Sequence, residues 1–277
     1  MKYVPRELVD EVNVTPVHPL VNFGYLLVTV AAAAGVIYAG LGIAGAQIAM
    51  RIGPRAENKL GQMMFENIFT TMPLVEAGTD YAYVKTLANA LRSDALKKRP
   101  ELKLHVFEDP FPNAMVSAGG HIFVSTGLLE EVETENELAF VLAHELGHYE
   151  NRDNLRSLGR SIVFLSASSA LAASGVQLPP FLTSSISLAD LNYSRDQEQK
   201  ADVYALAVMH ERYGHVNYAT DFFEGLVDLE LDLGAANQFL EWRSTHPLTE
   251  SRIEYLEAIA AERGWSLEGE PTALQKR

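Results

Sequence analysis

The string His-Glu-Leu-Gly-His at 144–148 has the residue types and the spacing of a metal-dependent hydrolytic site. On an α-helix, side chains four residues apart lie on one face, so the imidazoles of His144 and His148 can bind one metal ion. Glu145 lies one step around the turn and can take a proton from a water at that metal. The string therefore predicts zinc-dependent hydrolysis of peptide bonds. The alternative is that the composition produced the string by chance.

The residues around this string predict a helix. Thr134 and Glu137 form a capping box, and apolar residues such as Leu138 and Leu142 follow at helical spacing, so the helix should run to about Asn151. Both histidines then lie well inside it. Two histidines that flank a glutamate are a costly way to fill a core, which favours a metal site over chance.

A catalytic zinc ion needs three protein ligands, so a third must come from elsewhere in the chain. The chain has no cysteine, and residues 149–153 lack the third histidine of the extended zincin pattern. The best candidate is Glu198, in a second predicted helix that Ser194 and Gln197 would cap. Asp202 shares its helix face and could accept the second ring proton of a ligand histidine. The alternative is an ordinary solvated acidic face.

The composition indicates a globular protein and argues against a nucleic-acid partner. Hydrophobic residues make up 48% of the 277 residues and charged residues 21%, which suits one sizeable domain with a full core. The 36 acidic residues outnumber the 22 basic ones, for a formal net charge of −14. A phosphate-binding surface needs a basic stripe, and none is visible.

A long uncharged run near the N-terminus predicts a transmembrane helix. No Asp, Glu, Lys or Arg occurs in 20–50, which exceeds the roughly 20 residues needed to cross a bilayer. The alternative is a cleaved signal peptide with the small residues 44–46 at its cleavage site. The segment before the run is long and contains Glu7, Asp10 and Glu11, which favours an uncleaved anchor. The flanking basic residues slightly favour a cytoplasmic catalytic domain.

The remaining pattern predicts an α+β domain. Helical patterns fill 53–99, short strands are expected at 102–107, 113–117 and 120–126, and helices follow. This order places a small sheet beside the metal helix. A second apolar stretch, 161–191, is divided by glycine and proline, so we expect a buried or interfacial helical hairpin rather than a membrane span.

Four pieces of sequence, in order, resemble the HtpX-like and CAAX-prenyl-endopeptidase family of membrane-associated gluzincins. Together they lie within roughly 56–261. The pieces are Pro112–Ala114 followed by Gly119–Leu129, His144–His148, the Tyr-Ser-Arg-x-x-Glu-x-x-Ala-Asp segment Tyr193–Asp202, and Ser244–Pro247 with Arg252 downstream.

The resemblance implies a mainly helical zincin-like domain with a small β-sheet, preceded by one transmembrane helix. It also implies one zinc ion per chain, held by His144, His148 and Glu198, with Glu145 as general base and Asp202 supporting a ligand histidine. The expected parts of the chain are a polar segment at 1–20, an anchor at 21–50, the metallopeptidase domain at 51–263 and a polar, weakly ordered tail at 264–277.

Two further residues are candidates for catalysis. His246 or Arg252 could donate to the oxyanion that forms on the substrate carbonyl. The resemblance also implies a second role for His246. In some relatives the equivalent histidine occupies the open position on zinc and so restrains activity. Without the resemblance, His246 would be a turn residue before a proline, and Arg252 would pair with a surface acid.

The strand at 120–126 suggests how a substrate is held. As an exposed edge it would pair with an extended peptide, so we expect Asn113, Gly120, His121, Ile122 and Phe123 to contact the substrate. Such main-chain pairing tolerates many sequences and suits unfolded or misassembled polypeptides.

Three functional hypotheses follow. The first is a membrane-anchored zinc metalloendopeptidase for protein quality control, whose partners are polypeptides and, through its N-terminal helix, membrane lipid. The second is a membrane-tethered chaperone or assembly factor whose proteolysis is gated or minor. The third, a peptidase for prenylated proteins, is disfavoured because only one convincing span is present.

Overall fold

The computed structural model shows a mainly helical protein with one small mixed sheet, which confirms the predicted α+β class. It describes residues 18–68, 73–75, 78–159, 193–221, 224, 246 and 250–275. The helices are Pro19–Met50 (α1), Pro54–Ile68 (α2), Thr79–Ala90 (α3), Asp94–Lys97 (α4), Thr126–Glu131 (α5), Glu135–Asn151 (α6), Arg195–Tyr213 (α7) and Glu250–Arg263 (α8). The strands are Leu74–Val75 (β1), Lys103–Phe107 (β2), Ala114–Ser117 (β3) and His121–Ser125 (β4). The predicted hairpin at 161–191 and the polar segment up to residue 17 lie outside the described residues.

The four strands form a sheet in the order β1-β2-β4-β3. Strand β2 runs parallel to β4, with Lys103 opposite His121, whereas β1–β2 and β3–β4 are antiparallel. Three strands confirm the predicted ones, and the two-residue β1 was not predicted. The expectation that 120–126 is an exposed edge is wrong, because β2 and β3 pair with β4 on both sides and every residue of β4 is buried.

Helix α6 passes through the centre of the molecule. Its residues are buried from Glu135 to Tyr149, so a polar segment of the chain lies within the core. Strand β3 contacts one side of α6, and α7 crosses the other side. The crossing is close, since a Cβ atom on Gly147 would lie 2.9 Å from the Cα of Ala201. The metal helix is therefore held between the sheet and a second helix.

Helix α1 is 32 residues long and is apolar enough to cross a membrane, by length and composition. Most of its side chains are exposed, including Leu20 and Phe23. Its last turn differs, because Ala49 is buried in a cluster with Phe123 of the sheet and Leu155. The C-terminal end of the apolar helix is thus packed into the domain.

The C-terminal segment, expected to be a weakly ordered tail, packs against the start of the metal helix. Ala273 forms a β-bridge with Thr134, and the main-chain amide of Glu135 donates to the carbonyl of Thr272 at 2.9 Å. The amide of Thr272 in turn donates to Oδ1 of Asn136 at 2.7 Å. These bonds satisfy polar groups at the buried N-terminal end of a helix, which the composition of the tail does not indicate.

Candidate metal centre

The metal helix begins and ends where the sequence predicts. The hydroxyl of Thr134 accepts from the amide of Glu137 at 3.1 Å, which caps the first turn. The helix ends at Asn151 because Arg152 adopts the left-handed conformation, with φ 59° and ψ 33°. A left-handed residue is a common helix terminator, although a non-glycine residue adopts it at some cost.

Four buried side chains converge at one point between α6 and α7, namely those of His144, His148, Glu198 and His246. Their potential ligand atoms all lie within 4.8 Å of one another. The Nε2 atoms of His144 and His148 are 3.1 Å apart. The carboxylate of Glu198 lies 3.2 Å from Nε2 of His148 and 3.5 Å from that of His144. The structure thus brings together the three ligands predicted from sequence and adds His246.

An aspartate holds the second ring nitrogen of each helix histidine. Nδ1 of His144 lies 2.9 Å from Oδ1 of Asp202, and Nδ1 of His148 lies 3.1 Å from Oδ2 of Asp153. An ionised carboxylate only accepts, so each Nδ1 carries the hydrogen. In the neutral imidazole each Nε2 then carries a lone pair, and both Nε2 atoms face the cluster.

This arrangement fits a metal ion. Two nitrogen lone pairs and a carboxylate that face one another across 3.1 to 3.5 Å repel unless a cation lies between them. Burial alone would lower the pKa of His144, but the carboxylates of Asp202 and Glu198 outweigh it and raise the pKa to about 9. Burial would raise the pKa of Glu198, yet His246 and the two helix histidines hold it well below its usual range. The cluster therefore favours bound positive charge.

Arg252 brings a positive charge to the carboxylates of Asp202 and Glu198. Its Nε and Nη2 donate to the two carboxylate oxygens of Asp202 at 2.6 and 2.7 Å, and its Nη1 lies 2.9 Å from Glu198. The guanidinium is buried, with 6% exposure. A fork of this kind fixes the orientation of Asp202 and therefore of the ring of His144. Arg252 is thus bound to the supports of the cluster.

Glu145 lies on the side of α6 that faces β3 and His246. Its Oε1 is 3.3 Å from Nε2 of His246, and the main-chain amide of Val116 also acts on its carboxylate. Burial raises the pKa of Glu145, and this effect is opposed by His246 and His144. A buried carboxylate of raised pKa beside a metal-ligand set is suited to accepting and returning a proton.

The predicted substrate residues lie in or directly before strands β3 and β4. His121 is buried and stacks beside His105, whose Nε2 lies 3.0 Å from its Nδ1. Ile122 and Phe123 are fully buried. Gly120 precedes β4 with φ 76°, whereas Asn113 lies directly before β3, the strand that contacts the metal helix.

A comparison with family models identifies the chain. The model of peptidase family M48 matches residues 81–260, more than half of the sequence. The chain belongs to peptidase family M48. The match includes every residue of the M48 metal cluster, and it confirms the resemblance on which the sequence interpretation depends.

Three curated proteins are similar in sequence to this M48 chain. The mitochondrial metalloendopeptidase OMA1 of Schizosaccharomyces pombe is 38% identical over 160 residues, covering 56% of this chain and 45% of that protein. The beta-barrel assembly-enhancing protease of Yersinia pestis is 24% identical over 234 residues, covering 78% and 46%. The metalloprotease YcaL of Escherichia coli is 30% identical over 149 residues, covering 52% and 56%. The chain spans about half the length of the curated relatives it matches.

Two residues of the M48 site were not predicted. Asp153 follows the metal helix and returns to His148 only because Arg152 turns the chain, so helical spacing gave no signal. Tyr193 stacks on the ring of His148 with a centroid distance of 3.9 Å and an interplanar angle of 15°. The sequence feature that could have indicated Tyr193 was its position immediately before the predicted N-cap Ser194.

Proposed function

We propose that this M48 chain is a zinc-dependent metalloendopeptidase in which His144, His148 and Glu198 hold the metal. The observation that carries the proposal is the convergence of two imidazole nitrogens and one carboxylate within 3.5 Å, with an aspartate on each histidine. Two histidines and a glutamate form the ligand set of several catalytic zinc sites, which leave one position open for water or substrate.

The chemistry divides between the metal and the chain. A bound zinc ion supplies a Lewis acid that polarises the scissile carbonyl and lowers the pKa of a water toward about 7. Glu145 is the general base, which takes the proton of the attacking water and delivers it to the departing amine nitrogen. Asp202 and Asp153 keep Nε2 of each helix histidine free of a proton and aimed at the metal.

His246 and Arg252 have different roles in this proposal. Nε2 of His246 lies beside Glu145, where it could donate to the oxyanion of the attacked carbonyl. Arg252 acts through Asp202 and Glu198, since its three donor nitrogens are directed at their carboxylates. We therefore assign Arg252 to positioning and His246 to contact with the substrate.

Strand β3 replaces β4 as the proposed substrate-binding strand. The amide of Ser125 donates to the carbonyl of Asn113 at 2.9 Å, so residues 113, 115 and 117 direct their main-chain groups toward β4. Ala114 and Val116 direct theirs the other way, away from β4, and β3 contacts the helix α6 that carries Glu145. An extended peptide paired there would place its backbone beside the general base.

Main-chain recognition favours substrates that expose extended chain, so we assign unfolded or misassembled polypeptides as the substrate class. The exposed apolar surface of α1 supports attachment of the site to a membrane. One relative, from Yersinia pestis, is a beta-barrel assembly-enhancing protease. These points together support a role in membrane-associated quality control.

One observation favours a gated form of this activity. Nδ1 of His246 lies 3.2 Å from Nε2 of His144 and 3.1 Å from Oε1 of Glu198, within the metal-ligand set. If a metal ion were held by His144, His148 and Glu198, the imidazole in this position would compete with water or substrate for it. A tethered chaperone whose cleavage is restrained by His246 is therefore the second candidate function.

The deciding experiment compares wild type with Glu145→Gln, purified in detergent, on an unfolded casein-type substrate with and without a chelator. We expect about one zinc per chain in both proteins and cleavage in wild type alone, abolished by the chelator. A loss of about 10² to 10⁴-fold in kcat is typical when a general base is removed. Zinc-independent cleavage, or cleavage unchanged in Glu145→Gln, would refute the proposal. Zinc binding without cleavage in either protein would favour the gated chaperone, and His246→Ala would then be expected to release activity.

A further inference from the structure

We propose that Arg152 couples the C-terminal end of helix α1 to the metal ligand His148, which makes metal affinity depend on how α1 is seated. The inference rests on the proposed zinc site, and it adds a positioning residue outside that site. Arg152 lies next to Asp153, the residue that holds His148.

The end of α1 is built into the domain rather than joined by a free linker. A Cβ atom on Gly159 would lie 2.5 Å from the carbonyl oxygen of Gly45 and 2.8 Å from Cβ of Ala49, so the helical segment 153–159 and α1 are in close contact. Leu155 and Leu158 share a buried cluster with Ala49. A movement of the last turns of α1 must therefore move the segment that begins at Asp153.

Arg152 closes the end of α1 with its guanidinium. Nη1 donates to the carbonyl of Met50 at 2.8 Å, and Nη2 donates to the carbonyl of Ile52 at 2.6 Å. Nη2 also donates to Oε2 of Glu57 at 2.7 Å. Terminal carbonyls of a helix lack intrahelical partners, and a cation there also offsets the helix dipole. Glu57 is itself buried, with 3% exposure, and the side chain of Arg152 is 15% exposed, so this joint is a partly buried ion pair.

The backbone of Arg152 connects this joint to the metal site. Its left-handed conformation is unusual for a residue with a side chain, and it ends α6 so that Asp153 turns back to the helix. Oδ2 of Asp153 then reaches Nδ1 of His148 at 3.1 Å. A strained backbone persists where surrounding contacts hold it, and here the holding contacts come from the end of α1 and from Glu57.

A shift of α1 is therefore expected to weaken metal binding. If α1 shifts, the carbonyls of Met50 and Ile52 pull on Arg152, the left-handed turn relaxes, and Asp153 loses its alignment with His148. The ring of His148 then loses the partner that fixes its tautomer, and the metal is bound less tightly. Arg152 is thus a positioning residue, because it acts on the metal through Asp153 and His148.

The test uses the full chain in detergent with the variant Arg152→Gln. Glutamine keeps a side chain on the left-handed residue and removes the guanidinium, so the turn loses the contacts that hold it. The matched control is Arg212→Gln, which removes an arginine from a buried glutamate, Glu135, at the opposite end of α6. The measurements are the zinc dissociation constant by chelator competition, the visible spectrum of the cobalt-loaded protein, and thermal unfolding of the metal-free protein.

We expect Arg152→Gln to weaken zinc binding about ten-fold and to change the cobalt spectrum, and Arg212→Gln to leave both at wild-type values. Unchanged zinc affinity in Arg152→Gln, or an equal loss in both variants, would overturn the inference and leave the proposed function standing. Wild type that binds no zinc would overturn both. Should Arg152→Gln fail to fold, Arg152→Lys, which keeps the charge and loses the fork, is measured against the same two criteria.

Discussion

At the level of single side chains, the site depends on carboxylates that support the proposed metal ligands. Asp202 and Asp153 play the same part for His144 and His148, but their surroundings differ. Asp202 also binds the buried guanidinium of Arg252, whereas Asp153 lies 3.6 Å from Arg156, which is 35% exposed. Removing the charge of Asp202 would take one of two carboxylate partners from the buried Arg252, which also contacts Glu198, so Asp153 offers the cleaner test of this support.

We predict that Asp153→Asn lowers zinc affinity by about 10 to 100-fold while the metal-free protein unfolds near the wild-type temperature. The asparagine keeps the size of the side chain, but its amide can also donate, so it no longer imposes one tautomer on His148. Chelator competition measures the affinity, and Asp196→Asn on the exposed start of α7 is the control. Equal zinc affinity in both variants would contradict the role of Asp153.

The sequence predicted ligands at this scale where the local pattern was helical. His144 and His148 share a face of α6, and the capping residues Ser194 and Gln197 placed Glu198 on a helix. Asp153 could not be predicted in this way, because its contact depends on a single left-handed residue. Residue spacing predicts which side chains share a face of one helix. It does not predict that Asp153 reaches His148, because that contact depends on how the chain turns after the helix ends.

At the level of elements, the crossing of α6 and α7 sets the distance between the histidines and Glu198. Gly147 lies between the two ligand histidines in sequence and faces Ala201, one turn from Glu198. The absence of a side chain there lets the two helices approach until imidazole and carboxylate meet. The glycine in the His-Glu-Leu-Gly-His string is thus a requirement of helix packing.

We predict that Gly147→Ala weakens zinc binding and lowers the unfolding temperature, although alanine in a helix is intrinsically favoured over glycine by about 1 kcal/mol. The new methyl group would lie 2.9 Å from the Cα of Ala201, which is closer than real contacts allow, so the helices must separate. Gly40→Ala is the control, because a Cβ there meets no atom within 4 Å. A more stable Gly147→Ala protein with full zinc affinity would contradict this account.

The order of the strands in the sheet could not be predicted from the sequence. The three strand segments were correctly located, but β4 was expected at an edge and lies between β2 and β3. Alternation along a strand indicates which faces are apolar and does not indicate its neighbours. The continuous burial of β4 is typical of an interior strand with a parallel partner. The sequence feature that indicated such a strand was the uninterrupted apolar run Ile122–Val124.

We predict that N-methylation of a peptide substrate at a residue paired with β3 raises KM with a smaller effect on kcat. A methyl group on the amide removes one ladder hydrogen bond to Ala114 or Val116 and leaves the side chains unchanged. A scan of single N-methyl groups along one cleavable peptide measures this, and an alternating pattern of strong and weak effects is expected. A uniform response along the peptide would argue against strand pairing.

At the level of the whole molecule, Glu135 connects three helices at the N-terminal end of α6. Its carboxylate accepts from Tyr83 of α3 at 2.7 Å, and from Arg212 and Tyr213 of α7 at 2.9 Å each. Burial would raise the pKa of Glu135, but these donors lower it below the ordinary value of 4.5. The ionised form therefore stabilises the fold.

We predict that Glu135→Gln lowers the free energy of unfolding at pH 7 by on the order of 1 to 2 kcal/mol. Because the folded-state pKa is depressed, this stabilisation is complete above about pH 4.5, the unfolded value, and is lost as pH falls through the folded pKa. Urea unfolding at pH 7 and pH 3.5 measures both. The variant and wild type should differ less at the lower pH, and a constant difference would contradict the assignment.

A second prediction at this scale concerns α1. Its exposed apolar side chains over 32 residues should keep the protein in the membrane pellet through alkaline carbonate extraction, with release by detergent. Fractionation followed by immunoblotting measures this. Release by carbonate alone would indicate that α1 packs against protein instead of lipid.

The distribution of the metal ligands along the chain has a consequence for folding. His148 and Glu198 are separated by some 50 positions, yet their side chains meet at 3.2 Å. A zinc ion between them would act as a reversible cross-link, closing a loop whose entropic cost the folded protein must otherwise overcome alone. By mass action, free zinc at 100 times its dissociation constant would add about 2.7 kcal/mol to the stability of the fold. The unfolding temperature of this protein would then rise with the zinc concentration of its surroundings, so zinc supply would govern how long the protein survives as well as how fast it works.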